Sequence, residues 1–129
     1  MRKPAAKQGD TIVAIDTHLV IVPPLAAPVP TPLPFKGTIT GNLSPNVRIM
    51  RMPAATVGSI AINIPPHIVP PPGSFVKPPA NRGTIIFGSA TVKINGKMAA
   101  RLSDQALTCN DPADLPVGRV IAKGTVFIG

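Results

Sequence analysis

Three side chains in this sequence belong to the types that ligate borderline or soft metal ions: His18, His67 and Cys109, the two histidines and the single cysteine of 129 residues. Their spacing says more than their number. His18 lies eight residues after Asp10, His67 lies eight after Ser59, and each is followed by an apolar pair, Leu19-Val20 and Ile68-Val69. Cys109 lies five residues after Asp104. Asp10, Ser59 and Asp104 occupy the same place in three similar segments, so a loop three residues shorter would raise Cys109 to the height of the two histidines. Three ligands related by a threefold axis leave the fourth position of a tetrahedral Zn²⁺ on that axis, and zinc takes nitrogen and sulfur donors. Asp111, Asp16 or a water would fill that position, and the spacing does not choose among them. A lone cysteine is ordinarily a small buried hydrophobe; it is the shared register that points to ligation. Such a metal would be structural, adding its binding free energy to folding.

Catalysis has little to work with. The chain has no Glu, no Gly-x-Ser-x-Gly, no Gly-rich phosphate loop ahead of a helix and no His-x-x-x-His pair. Cys109 with a histidine would make a nucleophile and base, but an oxyanion hole and a cleft would also be needed, and nothing in the sequence offers them.

The elements that must position these side chains repeat. Pro4-Ala5-Ala6-Lys7-Gln8-Gly9-Asp10 matches Pro53-Ala54-Ala55-Thr56-Val57-Gly58-Ser59 and Met98-Ala99-Ala100-Arg101-Leu102-Ser103-Asp104, with the double Ala kept throughout. Ahead of the second and third copies run Gly37-Thr38-Ile39, leading to Val47-Arg48-Ile49, and Gly83-Thr84-Ile85, leading to Val92-Lys93-Ile94. Gly124-Thr125-Val126 reads as the same opening at the end of the chain. Residues 1–129 therefore read as one domain of three units about a pseudo-threefold axis, the third unit split between the termini, with Met1 and Gly129 on the same side. Alternating runs such as Thr91-Val92-Lys93-Ile94 are strands, and Asn95-Gly96 is a two-residue hairpin turn. Pro23 to Pro34, Pro65 to Pro79 and Asn110 to Pro116 read as ordered Pro-rich loops packed on the β body.

Composition agrees. Eighteen Pro and eleven Gly oppose helix, and a core without Trp or Tyr must be built from Ile, Val, Leu and Ala. Thirteen Lys and Arg against five Asp give a formal charge of +8, which favours an anionic partner or surface. The cations are scattered, and the aromatic side chains that stack single-stranded nucleic acid are scarce. One cysteine makes no internal disulfide. No signal peptide and no membrane-spanning segment is read, and synthesis in a reducing compartment is expected.

The three Ala-Ala segments, with the run Ser89-x-x-Val92-x-Ile94-Asn95-Gly96-Lys97, resemble the PAAR-repeat family over essentially the whole chain. The resemblance implies an all-β, small conical, pseudo-threefold structure that sharpens the VgrG-type spike of type VI secretion systems and related contractile injection machines. It implies a zinc ion near the vertex, held in the family by three His and one Cys and here by His18, His67 and Cys109. The sequence departs from the family pattern in having two His, Met98 for the motif Pro, Lys7 and Thr56 for the motif Arg, and Ser59 for the motif Asp.

The implied function is a non-enzymatic tip, one chain per trimer, that helps puncture a target envelope. It would assemble in the cytoplasm and be carried outward on firing, with no attached effector domain and Pro-rich loops open to an effector or adaptor. Strand edges at the base, from the Gly-Thr-Ile segments, are expected to continue the sheets of the spike. A small metal-dependent hydrolase and a free-standing basic surface-binding module are the alternatives.

Overall fold

The computed structural model describes residues 2–129; Met1, and with it the expectation for that end, lies outside the described residues. Thirteen strands follow in chain order: β1 (Lys3–Pro4), β2 (Thr11–Ile21), β3 (Val29–Gly41), β4 (Arg48–Ile49), β5 (Met52–Pro53), β6 (Ile60–Asn63), β7 (Ser74–Phe75), β8 (Arg82–Ile85), β9 (Lys93–Ile94), β10 (Lys97–Met98), β11 (Gln105–Thr108), β12 (Leu115–Ile121) and β13 (Phe127–Ile128). There is no helix among the described residues. Strands β2, β3, β6, β8, β11 and β12 pair in that order, all antiparallel, and β12 returns to β2, so six strands close into a barrel; β7 adds to the far end of β2. Three short two-stranded pairs complete the body: the hairpins β4 with β5 and β9 with β10, and β13 with β1 from the two ends of the chain, so that Lys3 faces Ile128.

The three Ala-Ala segments form a ring across the barrel. Ala6 N donates to Ala100 O, Ala100 N to Ala55 O, and Ala55 N to Ala6 O, at 2.9, 3.1 and 3.0 Å. Isolated bridges Ala5 to Arg101, Ala54 to Lys7 and Ala99 to Thr56 repeat the cycle. Only a small side chain fits where three backbones meet, which is why Ala holds both positions in each copy. The second Ala of each pair joins the barrel core with Ile12, Phe35, Ile39, Ile85 and Val120. The first joins a separate layer with Ile49 and Ile94, against which Val47, Val92 and Ile128 pack. The hairpins therefore lie beneath the ring and the barrel rises above it.

Each segment closes on itself in the same way. Asp10 accepts from Lys7 N (3.0 Å), Asp104 from Arg101 N (2.7 Å), and Ser59 Oγ takes the equivalent place by accepting from Thr56 N (2.9 Å). Ser59 Oγ then donates to Asn42 O at 2.8 Å. The Asp-to-Ser departure is thus answered locally, where Thr56 offers no cation for a carboxylate to pair with. Replacing Ser59 with Ala leaves a buried amide without its partner and is expected to cost about 1–3 kcal/mol, measured by denaturant unfolding.

Three details differ from the sequence expectations. Gly124-Thr125-Val126 is not equivalent to Gly37-Thr38-Ile39. Val120 N donates to Asp104 O as Ile39 N does to Asp10 O and Ile85 N to Ser59 O, so Gly118-Arg119-Val120 is the third copy; Val126 O accepts from Ala5 N as Val47 O does from Ala54 N. The Gly-Thr-Ile segments offer no edge for strand addition, because β3 and β8 are each paired on both sides within the closed barrel. The stretch Pro23 to Pro34 enters a strand, β3, whose prolines at 30, 32 and 34 fall at alternate positions opposite β2. A period of two puts every missing amide on the same side, the unpaired edge. The turn expected at Asn95-Gly96 is present, with both residues at positive φ (53° and 79°), and Met50-Arg51 makes the matching turn in the neighbouring hairpin at 50° and 72°.

Candidate metal centre

Each unit runs up from the Ala ring, turns at the top of the barrel and runs down again, so the three turning points meet at the end opposite the hairpins. His18 stands on β2 as it climbs beyond the barrel, His67 in the loop between β6 and β7, and Cys109 directly after β11. Their ligating atoms and a carboxylate oxygen of Asp16 all lie within 4.8 Å of one another, and all four residues are buried. Among the fourth donors left open by the sequence, Asp16 is the one in the cluster. It sits two residues before His18 on the same strand, and a period of two puts both side chains on one face. Asp111 stands beside the cluster, accepting from Leu19 N at 2.8 Å.

The supporting residues were not singled out from sequence. Thr108 Oγ1 donates to Asp16 Oδ1, and Asn110 Nδ2 approaches the same oxygen at 3.4 Å while Asn110 Oδ1 accepts from Thr17 N at 2.7 Å. Asn81 Oδ1 accepts from His67 N (2.7 Å) and from Asn63 Nδ2 (3.2 Å). Asn63 Nδ2 also lies 3.3 Å from His67 Nδ1, leaving the opposite nitrogen, Nε2, to face Asp16 Oδ2 at 2.8 Å. A signal for part of this shell exists: Asn63 and Thr108 each fall four residues after the motif position held by Ser59 and Asp104, each the polar last residue of its strand.

The donor set fits a metal. Neither ring nitrogen of His18 has a hydrogen-bond partner, although both are buried; Asp111 Oδ2 comes to 3.4 Å of Nδ1 but out of hydrogen-bond alignment. An orphaned buried nitrogen is costly in a native structure and calls for a ligand. Donors at zinc bond lengths stand about 3.3–3.5 Å apart in a tetrahedron. Asp16 Oδ2 is 3.5 Å from Cys109 Sγ, within that range, while its 2.8 Å to His67 Nε2 is a hydrogen-bond distance that a shared ion would lengthen. Burial pushes the Cys109 thiol up to about 11, with the nearby Asp16 charge adding to the effect. Without a cation this sulfur keeps its proton and is a poor nucleophile; a metal would displace that proton. Aromatic edges wall the cluster, Phe75 at 5.7 Å from His18 and Phe35 at 6.1 Å from His67 between ring centroids.

The PAAR motif family model matches residues 35–104, more than half of the chain. This chain belongs to the PAAR motif family. The family is the spike-tip family of type VI secretion systems, a structural family and not one of enzymes. The matched span takes in the two Ala-Ala segments that follow one another without interruption and leaves out the one near the N-terminus, together with His18 and Cys109. No curated protein and no solved structure matches the chain.

Proposed function

We propose that this PAAR chain, taken as one domain with its third unit divided between the two ends, caps a trimeric VgrG-type spike and leads it through a target envelope. The observation that carries the reading is the cyclic bonding of the Ala ring, which gives a single chain a threefold body. One such body matches the end of a trimer without symmetry mismatch, so one chain serves three spike subunits.

The opposite end suits entry into an apolar barrier. From Leu19 to Phe35, and from Ile64 to Val76, there is no Asp, Lys or Arg. Leu25, Ile64 and Ile68 are exposed there by 60%, 65% and 76%. Proline adds no amide that would have to be stripped of water. Zinc held by His18, His67, Cys109 and Asp16 would supply a cross-link between the three climbing units, stiffening an end whose core is thin. The enclosure of these four residues favours a structural metal over a hydrolytic one, which needs an open position and a base. The Pro-rich loops are the surface left for an effector or adaptor. Assembly would take place in the cytoplasm of the producing cell, with outward delivery on firing.

Mixing the chain with the trimeric spike protein and weighing the complex by light scattering after size exclusion is expected to give one chain per trimer. Three chains per trimer, or no complex, would sink the reading.

A further inference from the structure

The basic residues looked scattered in the sequence, but the fold gathers six of the thirteen at the three two-stranded pairs beneath the Ala ring, two to each: Arg2, just ahead of β1, and Lys3; Arg48 and Arg51; Lys93 and Lys97. None of the five Asp lies on these strand pairs, and none of these six cations pairs with a carboxylate among the described residues. Their situation differs from that of Lys7 and Arg101, which pair with Asp10 and Asp104 at 3.1 and 2.8 Å. Arg48 and Lys93 precede Ile49 and Ile94, which point into the layer under the ring, so alternation along the strand turns both cations away from it to solvent. Exposed Met50, Met52 and Phe127 lie among them. Gathering like charges at one end works against the compact state unless a partner neutralises them.

Resting on the spike-cap reading, we propose that the base docks electrostatically, and that the spike end it meets carries carboxylates in three equivalent patches around its axis. A protein trimer fits this arrangement better than nucleic acid or a lipid surface, because the cations are distributed in pairs over three corresponding two-stranded pairs around apolar side chains. That is the composition of a protein interface, with arginine, methionine and aromatic residues inside a charged rim. Rim charges of this kind act on the association rate and on salt dependence.

The test uses the full chain and the trimeric VgrG-type spike protein of the same organism. Association is followed at about 50 and 500 mM salt, where the screening length falls from roughly 14 to 4 Å. Wild-type binding is expected to weaken at least about tenfold at the higher salt. Arg48→Glu with Lys93→Glu is expected to slow association by a similar factor at low salt, and the two chains should converge at high salt. Lys36→Glu with Lys77→Glu makes the same change in net charge away from the base, on the barrel flank and toward the opposite end, and is expected to leave binding near wild type.

A complex whose strength ignores salt overturns the proposal by itself, with no variant needed. So does an equal loss in the flank variant. Weakened binding to DNA or anionic vesicles in the base variant, with spike binding intact, overturns it as well. If no wild-type complex forms at either salt, the spike-cap reading itself fails, and that outcome is distinct from the others.

Discussion

Adding zinc to metal-stripped protein is expected to raise its melting temperature by about 12–20 °C, and Asp16→Ala is expected to abolish most of that rise. The size follows from linkage: a ligand present at a thousand times its dissociation constant stabilises by about 4 kcal/mol. A domain of this length gains about 3–5 °C for each kcal/mol. Asp16→Asn separates two accounts of the cluster. It is nearly isosteric and keeps one oxygen for Thr108, but its amide nitrogen then faces His67 Nε2 and Cys109 Sγ, so the two accounts part on zinc affinity and not on stability. A metal site loses its anionic oxygen donor, and zinc affinity should fall by more than about a hundredfold, beyond what removal of a supporting residue costs. Thr108→Val removes such a support and should cost about ten- to a hundredfold. Competition titration with a chromophoric chelator measures all three. A melting temperature indifferent to zinc would remove the metal from this account and leave the barrel standing.

How much of this was open to reading from the chain depends on which way each residue faces. The Ala-Ala segments were legible because the crowding at the ring admits nothing larger at either position, so fold and composition carry the same information. The strand opening of the third unit was misplaced because Gly-Thr-Val near the end imitates Gly-Thr-Ile in all three residues. The position that matters is the glycine, and the middle residue faces outward: Thr38 and Thr84 correspond to Arg119, so the position takes a threonine or an arginine. The same blindness to direction hid the basic base, since cations far apart in sequence are brought together only by three two-stranded pairs. Asp16 was one choice among three until β2 was known to run unbroken through residues 16 and 18. The prolines of β3 misled for a different reason: a strand with one free edge can place every absent amide on that edge, and the edge exists only because β3 outruns its neighbour β6.

Phe35→Ala is expected to lower the unfolding free energy by about 3–5 kcal/mol, the range for emptying a buried aromatic site. Phe35 is the one fully buried phenylalanine, and it lies between the barrel core and the metal cluster. The three units contribute Gly37, Gly83 and Gly118 at this level, and the missing side chains of the first two make the room. A Cβ on Gly37 would stand 2.8 Å from the Phe35 ring and 2.9 Å from Ala61 Cβ; one on Gly83 would stand 3.3 Å from the same ring. Gly118 is closed off instead by Thr108 and Ile12, at 2.9 and 3.1 Å. A single large side chain thus breaks the threefold pattern to fill a space that two of the three glycines create. Gly37→Ala alone should cost about 1–3 kcal/mol through overpacking. Because the clash is with the Phe35 ring, combining Gly37→Ala with Phe35→Leu should cost less than the sum of the two single changes, with a coupling of about 1 kcal/mol. Denaturant unfolding of the four proteins closes the cycle. Strict additivity would mean that Ala61, on the other side of the added methyl, sets the limit, and that the glycine at 37 answers to the neighbouring strand instead of to the ring at the axis.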